Sequence, residues 1–269
     1  MSRKQWTDKK LLDRLLHNLS NKTYWDNVGE LRSRPSQNLY EKCVQLAYSG
    51  NPKERRIAID VLAQLGTTPR PHIIESIMLF FKILKQEKEP EVLQSLLFAI
   101  GHNNAELTVN QVKQLCTFKN TEDATIKNAL VFSLLGVSSE TAVDTLIHFS
   151  KDRSSHIRNW ATFGLGTQID SDTPVIREAL WDRVTDKSVD AKFEAITGLA
   201  QRKDERIIEV IHKELNKESY PGLLFEAIVN LADKQFLPTL KKQYAKYRSD
   251  NSINPDWLEN MKNCIANVE

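Results

Sequence analysis

Cysteine, glycine and proline are all scarce in this chain. Of its 269 residues, nine are glycine and nine are proline, which is less than the usual share of either and favours helices over a turn-rich β fold. The three cysteines, Cys43, Cys116 and Cys264, lie far apart, and no C-x-x-C pair occurs. These features exclude a disulfide framework and a cysteine-based zinc site, and they are typical of a protein from a reducing compartment.

Long apolar runs and targeting signals are missing as well. The most apolar stretch, residues 76–84, is too short to cross a bilayer and is interrupted by Lys82. No apolar segment follows the charged N-terminal sequence MSRKQWTDKK, as it would in a signal peptide. We therefore expect a cytoplasmic protein that has no membrane partner.

Motifs of catalysis and of nucleic-acid binding are also missing from the sequence. The six histidines are scattered without metal-ligand spacing, and there is no G-x-S-x-G motif and no glycine-rich phosphate loop. The formal net charge of +2 is small for a protein dedicated to nucleic acid. The sequence thus predicts a protein that is not an enzyme and that uses no cofactor, no metal and no small-molecule substrate.

A large aliphatic residue followed by Gly or Ala recurs along the chain at intervals of about 34 residues, a period typical of an array of helical hairpins. The six pairs are Leu65-Gly66, Ile100-Gly101, Leu135-Gly136, Leu165-Gly166, Leu199-Ala200 and Leu231-Ala232. Each pair therefore marks the end of one repeat.

Each of these pairs ends an amphipathic segment. Counted back from the small residue, the first, fifth and ninth positions are apolar in every repeat except at Lys127, where the neighbouring Ile126 can take its place. This spacing marks one face of a helix. Other helical segments lie between them, at residues 72–86, 108–118, 140–150, 173–184, 205–215 and 235–247. The repeating unit is helix, short turn, helix, and a glycine such as Gly166 is expected to form a left-handed C-cap or to admit a neighbouring helix.

Two of the repeats resemble a known family. Residues 152–166, DRSSHIRNWATFGLG, and residues 186–200, DKSVDAKFEAITGLA, are similar to the HEAT-like repeats of the bacterial phycocyanobilin-lyase type. The resemblance covers about residues 50–247, and the other repeats depart from it at the charged positions. No pigment-handling residues are matched, so the resemblance does not imply lyase activity.

The resemblance also implies a structural ladder between repeats. Asp152 and Asp186 would cap the second helices of their hairpins, while Arg158 and Lys192 would bond toward the neighbouring turn. The implied fold is all-α, a right-handed α–α superhelix (a HEAT-like solenoid) of about six helical-hairpin repeats with helical caps. We expect one continuous domain made of an N-terminal helical cap at residues 1–49, the HEAT-like array at 50–250 and a C-terminal capping helix at 251–269.

Outward positions of the second helices are candidates for a binding surface, because second helices line the concave face of an α-solenoid. Aromatic and acidic side chains are mixed there, which is the composition of a protein-binding hot spot for a basic partner. The predicted partner-binding residues are Asp60, Phe98, Trp160, Phe163, Phe193, Glu194, Phe225 and Glu226. The aromatic residues have an alternative place, packed sideways between helices.

These features favour a non-enzymatic protein-binding module that grips a protein partner on its concave face. A specific form of this hypothesis is a bacterial immunity protein that neutralises a toxin effector such as a nuclease, whose surface is basic because it binds a polyanion. The alternative is a DNA-binding or DNA-repair protein that resembles the HEAT-like alkylpurine DNA glycosylases, which hold a damaged base with concave tryptophans and an aspartate. Trp160 with Glu194 is only slightly similar to that arrangement, and the expected lining of Arg and Lys is missing. A structural adaptor that binds through its edges is a third possibility.

Overall fold

The computed structural model describes residues 2–269, and every regular element within that range is a helix. The α-helices are α1 (Asp8–Leu16), α2 (Asn21–Arg32), α3 (Gln37–Leu46), α4 (Pro52–Leu62), α5 (Ile73–Leu84), α6 (Pro90–Gly101), α7 (Val109–Cys116), α8 (Ala124–Ser133), α9 (Glu140–Phe149), α10 (Ser155–Gly166), α11 (Pro174–Trp181), α12 (Val189–Gln201), α13 (Ile207–Leu215), α14 (Leu223–Leu231), α15 (Leu237–Tyr247) and α16 (Pro255–Val268). Short 3-10 helices lie at Arg3–Gln5, Thr117–Asn120 and Lys234–Phe236. The predicted all-α fold class is confirmed.

Side-chain caps set where several helices begin. The hydroxyl of Thr108 accepts a hydrogen bond from the backbone N–H of Gln111, and the Gln111 side chain accepts one from the N–H of Thr108, which forms a capping box before α7. Thr173 accepts from the N–H of Ile176 at the start of α11, and Pro174 follows it in the first turn. Both helix starts confirm the sequence-based predictions.

The helices group into two compact units, Met1–Leu135 and Gly136–Glu269. In the first unit, α1 packs on α2, α3 on α4, α5 on α6 and α7 on α8. The second helices of these pairs also pack on one another in order, α2 on α4, α4 on α6 and α6 on α8. The predicted apolar stripe forms the core of this unit through Ile57, Val61, Val92, Leu96, Ile126 and Val131, all buried.

The second unit repeats this scheme with α9 to α16. Here α9 packs on α10, α11 on α12, α13 on α14 and α15 on α16, while the second helices α10, α12, α14 and α16 pack on one another in order. Its core includes Ile157, Ala161, Leu165, Ala191, Ala195, Leu199 and Ala227, all buried. The predicted stripe is thus buried at most of its positions, although Leu135, Leu223 and Leu231 are only half-buried, and the predicted division into cap, array and cap stays a prediction.

Two glycines bring α10 and α12 into close contact. A Cβ on Gly198 would lie 2.5 Å from the Cα of Gly166, and a Cβ on Gly166 would lie 2.9 Å from the carbonyl oxygen of Glu194. Gly166 therefore admits the neighbouring helix, which is one of the two predicted roles. The other role, a left-handed C-cap, is wrong for Gly166, whereas Gly66 and Gly136 do have the positive φ that it requires, at 85° and 79°.

A buried arginine closes the end of the same helix pair. Arg202 is 8% exposed, and burial lowers the pKa of its guanidinium. It donates hydrogen bonds of 2.7–3.1 Å to the backbone carbonyl oxygens of Leu165, Gly166, Ile169, Ser171 and Gly198. One guanidinium thus satisfies carbonyl groups that the end of α10 and the loop after it would otherwise leave without donors.

Candidate functional site

Two of the predicted partner-binding aromatic residues lie inside the protein. Phe193 and Phe225 are 2% and 3% exposed, so the prediction that they face a partner is wrong. Phe225 packs against the rings of Tyr220 and Trp257, with centroids 5.7 and 5.3 Å away. The physical reason is that their helix positions turn toward the adjacent element, whose approach removes a large apolar side chain from water.

Asp60, in the first unit, is also buried, at 5% exposure. Its Oδ2 accepts a 2.6 Å hydrogen bond from the hydroxyl of Tyr24, and Ser95 donates to the same carboxyl group. Burial raises the pKa of Asp60, and these hydrogen bonds oppose that rise. Asp60 therefore joins α2, α4 and α6 from within, and the prediction that it contacts a partner directly does not hold.

Four predicted residues of the second unit keep part of their side chain at the surface. Trp160 and Phe163, on α10, are partly buried and pack edge to face with ring centroids 5.6 Å apart. Glu194 on α12 is partly buried, and Glu226 on α14 is exposed. We call these four residues the acidic–aromatic surface.

The carboxylate of Glu194 lies in an unfavourable electrostatic environment. Its Oε2 is buried and has no hydrogen-bond partner within residues 2–269. Burial, followed by the like charges of Glu226 and Asp190, raises the pKa of Glu194 to about 7. On the adjacent helix α10, Oδ1 of Asn159 is likewise buried with no partner in the described part of the chain. Two hydrogen-bond acceptors on neighbouring helices therefore lack donors.

We expect Glu194→Gln to stabilise the protein above pH 7. The folded-state pKa of about 7 lies above the ordinary value of 4.5, so the stability that the protonated side chain contributes is complete below that ordinary value and is lost as the pH rises through the folded-state pKa. Glutamine keeps the neutral form at every pH. Since the group is partly exposed and screened by solvent, the expected gain at pH 8 is about 1 kcal/mol, which calorimetry would record as a higher melting temperature.

The pH dependence of this gain separates it from an ordinary surface effect. At pH 4.5 the wild type and Glu194→Gln should melt together, because Glu194 is then protonated in the folded protein. The control Glu205→Gln removes an exposed carboxylate and should leave the melting temperature unchanged at both pH values. A Glu194→Gln protein that melts with the wild type at pH 8 would contradict the assignment of an elevated pKa.

The contacts implied by the structural ladder are present between α10 and the turn before α12. Arg158 donates through Nε and Nη2 to both carboxylate oxygens of Asp186, at 2.9 and 2.8 Å, and through Nη1 to the backbone oxygen of Asp152 at 2.9 Å. Each aspartate also accepts from the backbone N–H two residues ahead. Lys192 bonds instead to Glu214, at 3.0 Å, so its partner is not the carboxylate of a following turn.

An equivalent arginine–carboxylate pair between neighbouring repeats occurs in the first unit, where the resemblance indicated none. Arg55 donates through Nε and Nη2 to Glu87, at 2.7 and 2.9 Å, and through Nη1 to the backbone oxygen of Ser49 at 2.9 Å. Arg55 and Arg158 both lie four residues after the N-cap of their helix. An alignment on helix starts, rather than on the Leu-Gly pairs near helix ends, would have revealed this correspondence.

The first unit contains a cavity of about 380 Å³ that sequence reasoning did not predict. The walls come from α2, α4 and α6, and their side chains include Trp25, Arg32, Arg56, Asp60, Phe98 and His102. Phe98, the remaining predicted residue, is partly buried here and packs on Phe132 with centroids 5.3 Å apart. Trp25 was missed because its segment shows no repeat pattern and was assigned to a cap.

A smaller cavity of about 280 Å³ lies between α14 and α16 in the second unit. Amide side chains dominate its lining, which includes Gln201, Asn230, Asn260, Asn263 and Asn267 together with Glu226. Amide groups both donate and accept hydrogen bonds, so they add polar contacts next to one acid of the acidic–aromatic surface. Sequence reasoning missed them because α16 was predicted only as a cap.

Neither a membrane-spanning helix nor a cluster of metal ligands occurs among residues 2–269. No helix there combines the length and the apolar character that a membrane span requires. No group of three or more His, Cys, Asp or Glu side chains in that range is placed to hold a metal ion.

Comparison with curated protein sequences finds relatives that match part of this chain. No protein-family model matches the sequence. Protein YibA of Escherichia coli K12 is 31% identical over 137 residues, which make up 51% of this chain and 48% of YibA. The match thus spans about half the length of this curated relative.

Comparison with solved structures establishes the fold. The crystal structure of Escherichia coli YibA aligns with a TM-score of 0.76 at 22% identity, over 99% of this chain and 93% of that one. A chain from the structure that describes Kap95p binding to RanGDP aligns with a TM-score of 0.65 at 12% identity, over 97% of this chain and 40% of that one. The chain has the HEAT-like helical-repeat fold, a fold suited to protein binding.

Proposed function

We propose that this protein is a non-enzymatic protein-binding module and that its acidic–aromatic surface contacts a basic partner. The observation that carries the proposal is the Glu194 carboxylate, held beside two like charges with a buried oxygen that has no donor among the described residues. A Lys or Arg side chain of the partner would supply both the donor and the opposite charge. Binding would then relieve an electrostatic cost that is already present in the free protein.

The aromatic half of the surface supplies apolar contact area. Tryptophan is frequent among binding hot spots because it buries a large area with few rotatable bonds. Trp160 and Phe163 support each other edge to face, which reduces the side-chain entropy lost on binding. The amide-lined cavity next to Glu226 would add hydrogen bonds at the polar rim.

A more specific role fits this surface, that of a cytoplasmic bacterial immunity protein that neutralises a toxin effector such as a nuclease. A nuclease acts on a polyanion and therefore presents cationic side chains around its substrate site. An acidic–aromatic surface that covers those side chains would block the substrate. The assignment of the repeats to the phycocyanobilin-lyase type is part of the same proposal and rests on the sequence pattern of residues 152–166 and 186–200.

The proposal is tested by capturing a partner from extract of the native cell with tagged wild-type protein and with the double variant Glu194→Lys/Glu226→Lys. We expect the double variant to recover about tenfold less partner or worse, and the wild-type complex to weaken as salt is raised. The matched control Glu205→Lys/Glu218→Lys reverses two exposed acids outside the second helices. It makes the same change in net charge and should retain the partner.

Two results would contradict this function. Equal capture by the two double variants would show that the partner does not use the acidic–aromatic surface. Duplex DNA, measured by fluorescence anisotropy over a salt series, is expected to bind negligibly at physiological salt because the carboxylates repel phosphate. Tight and steeply salt-dependent binding of the duplex would support the DNA-repair alternative in its place.

A further inference from the structure

The cavity in the first unit combines an exposed aromatic ring with two guanidinium groups. Trp25 on α2 keeps 44% of its surface exposed, and Phe98 on α6 adds a second apolar wall. The volume of about 380 Å³ lies within the range of sites that hold small ligands or inserted side chains. The rings offer apolar contact area to whatever enters.

Arg32 is held rigidly at this cavity. Its Nε and Nη2 donate to the backbone oxygen of Asp60, at 2.9 and 2.5 Å, and its Nη1 donates to Oε1 of Gln64 at 2.7 Å. The guanidinium carbon lies 5.7 Å from the centroid of the Trp25 ring, a cation–π contact. Three of the five N–H groups of a guanidinium are engaged in this way, so Arg32 is preorganised and keeps donor capacity for a ligand.

Arg56, on α4, has weaker internal partners. Its Nη1 lies 3.0 Å from the carboxylate of Glu91, whose side chain is 77% exposed. Its Nε lies 3.7 Å from Oδ2 of Asp60, beyond hydrogen-bond distance. An ion pair with an exposed carboxylate is weak, so a ligand carboxylate can replace Glu91 on Arg56.

The electrostatic environment of the cavity favours an anion. The lining contains one carboxyl group, that of Asp60, which accepts a hydrogen bond from Tyr24, and two guanidinium groups, those of Arg32 and Arg56, so its cationic groups outnumber its acidic one. Burial lowers the pKa of His102, and the positive charges of Arg32 and Arg70 lower it further. The positive potential of the cavity lining therefore repels a cationic ligand and attracts a carboxylate.

We propose that this cavity binds an acidic segment of a protein partner, with one carboxylate on Arg56 and Arg32 and an adjacent apolar side chain against Trp25. The charge selects a carboxylate, which a guanidinium can hold through two parallel hydrogen bonds. The exposed indole selects an apolar neighbour over a free inorganic anion. The cavity is basic, whereas the acidic–aromatic surface carries the opposite charge. This site therefore goes beyond the function proposed above and is tested independently of it.

The test follows the indole N–H signals of the five tryptophans by ¹H–¹⁵N NMR of the full chain, assigned with single Trp→Phe variants. The probes are the capped tripeptide acetyl-Phe-Glu-Leu-amide and its counterparts with Gln or Lys at the middle position. We expect the Trp25 signal to shift saturably with the Glu peptide, and the Gln and Lys peptides to bind about tenfold more weakly or not at all. Sodium acetate, an anion without an apolar neighbour, should bind as weakly as the Gln peptide.

Variants of the cavity sharpen this test. Arg56→Gln should weaken binding of the Glu peptide about tenfold, whereas Lys85→Gln, which removes one positive charge from an exposed position of the same unit, should not. Glu91→Gln removes the carboxylate that lies 3.0 Å from Arg56 and should tighten binding, which keeps the proposal testable if Arg56→Gln misfolds.

Several results would overturn the proposed site. Equal binding of the Gln peptide or a preference for the Lys peptide would exclude recognition of a carboxylate. If acetate bound as tightly as the Glu peptide, the cavity would be a site for small anions, and the proposed recognition of an apolar neighbour by Trp25 would be wrong. A shift of the Trp160 signal in place of that of Trp25, or no shift of any indole signal, would show that the cavity is not the site.

Discussion

Replacing Arg202 with methionine is expected to lower the free energy of unfolding by about 3–5 kcal/mol. Methionine fills the apolar part of the space, but it donates nothing to the five carbonyl oxygens that the guanidinium now engages. Each carbonyl buried without a donor costs about 1–3 kcal/mol. Water will reach some of these groups, so the total stays below their sum.

Urea denaturation followed by circular dichroism measures this loss, and hydrogen exchange shows whether it is centred on α10 and α12. Arg202→Lys should give an intermediate loss, because one ammonium group cannot reach carbonyls on two sides as a planar fork does. The exposed Arg153 offers a matched control, and Arg153→Met should change stability by less than about 0.5 kcal/mol. An Arg202→Met protein as stable as this control would show that another donor satisfies the carbonyls.

Gly198→Ala is expected to destabilise the protein by about 3 kcal/mol, the upper end of the range for overpacking. The new Cβ would lie 2.5 Å from the Cα of Gly166 and 3.2 Å from its carbonyl carbon and oxygen. These are backbone atoms, which no rotamer change can move aside. The helices α10 and α12 would have to separate, and Gly198→Val would cost more. Differential scanning calorimetry measures the change.

A second glycine supplies a control of opposite sign. Gly29 lies inside α2 and is exposed, and an added Cβ would meet nothing within 4 Å. Gly29→Ala should therefore stabilise the protein by about 0.5–1 kcal/mol through the higher helix propensity of alanine. If both alanine variants were stabilised, the close contact of α10 and α12 would not depend on the glycine pair.

Local patterns account for what sequence reasoning predicted correctly. The all-α class, the hairpin repeat and the starts of α7 and α11 follow from side-chain spacing and caps, which act within one helix or its first turn. Even the departure at Lys127 was resolved correctly, since Ile126 is buried in its place. Such features need no knowledge of neighbouring helices.

Contacts between helices account for the errors. Phe193 and Phe225 lie one residue before Glu194 and Glu226 in sequence, and only the approach of adjacent elements decides which member of each pair is buried. The rung from Arg55 to Glu87 was missed because the Leu-Gly pairs do not keep a constant distance from helix starts. Trp25 and Arg56 share a cavity, although they lie on different helices.

The amino-acid sequence alone determined the repeating helical hairpin and the stripe that each second helix buries, because periodicity acts along a single helix. Only the tertiary structure decided which outward side chains remain available to a partner. The closeness of Gly166 and Gly198 sets how near two second helices lie. The raised pKa of Glu194 arises because packing places Glu226, from another hairpin, beside a carboxylate already removed from water.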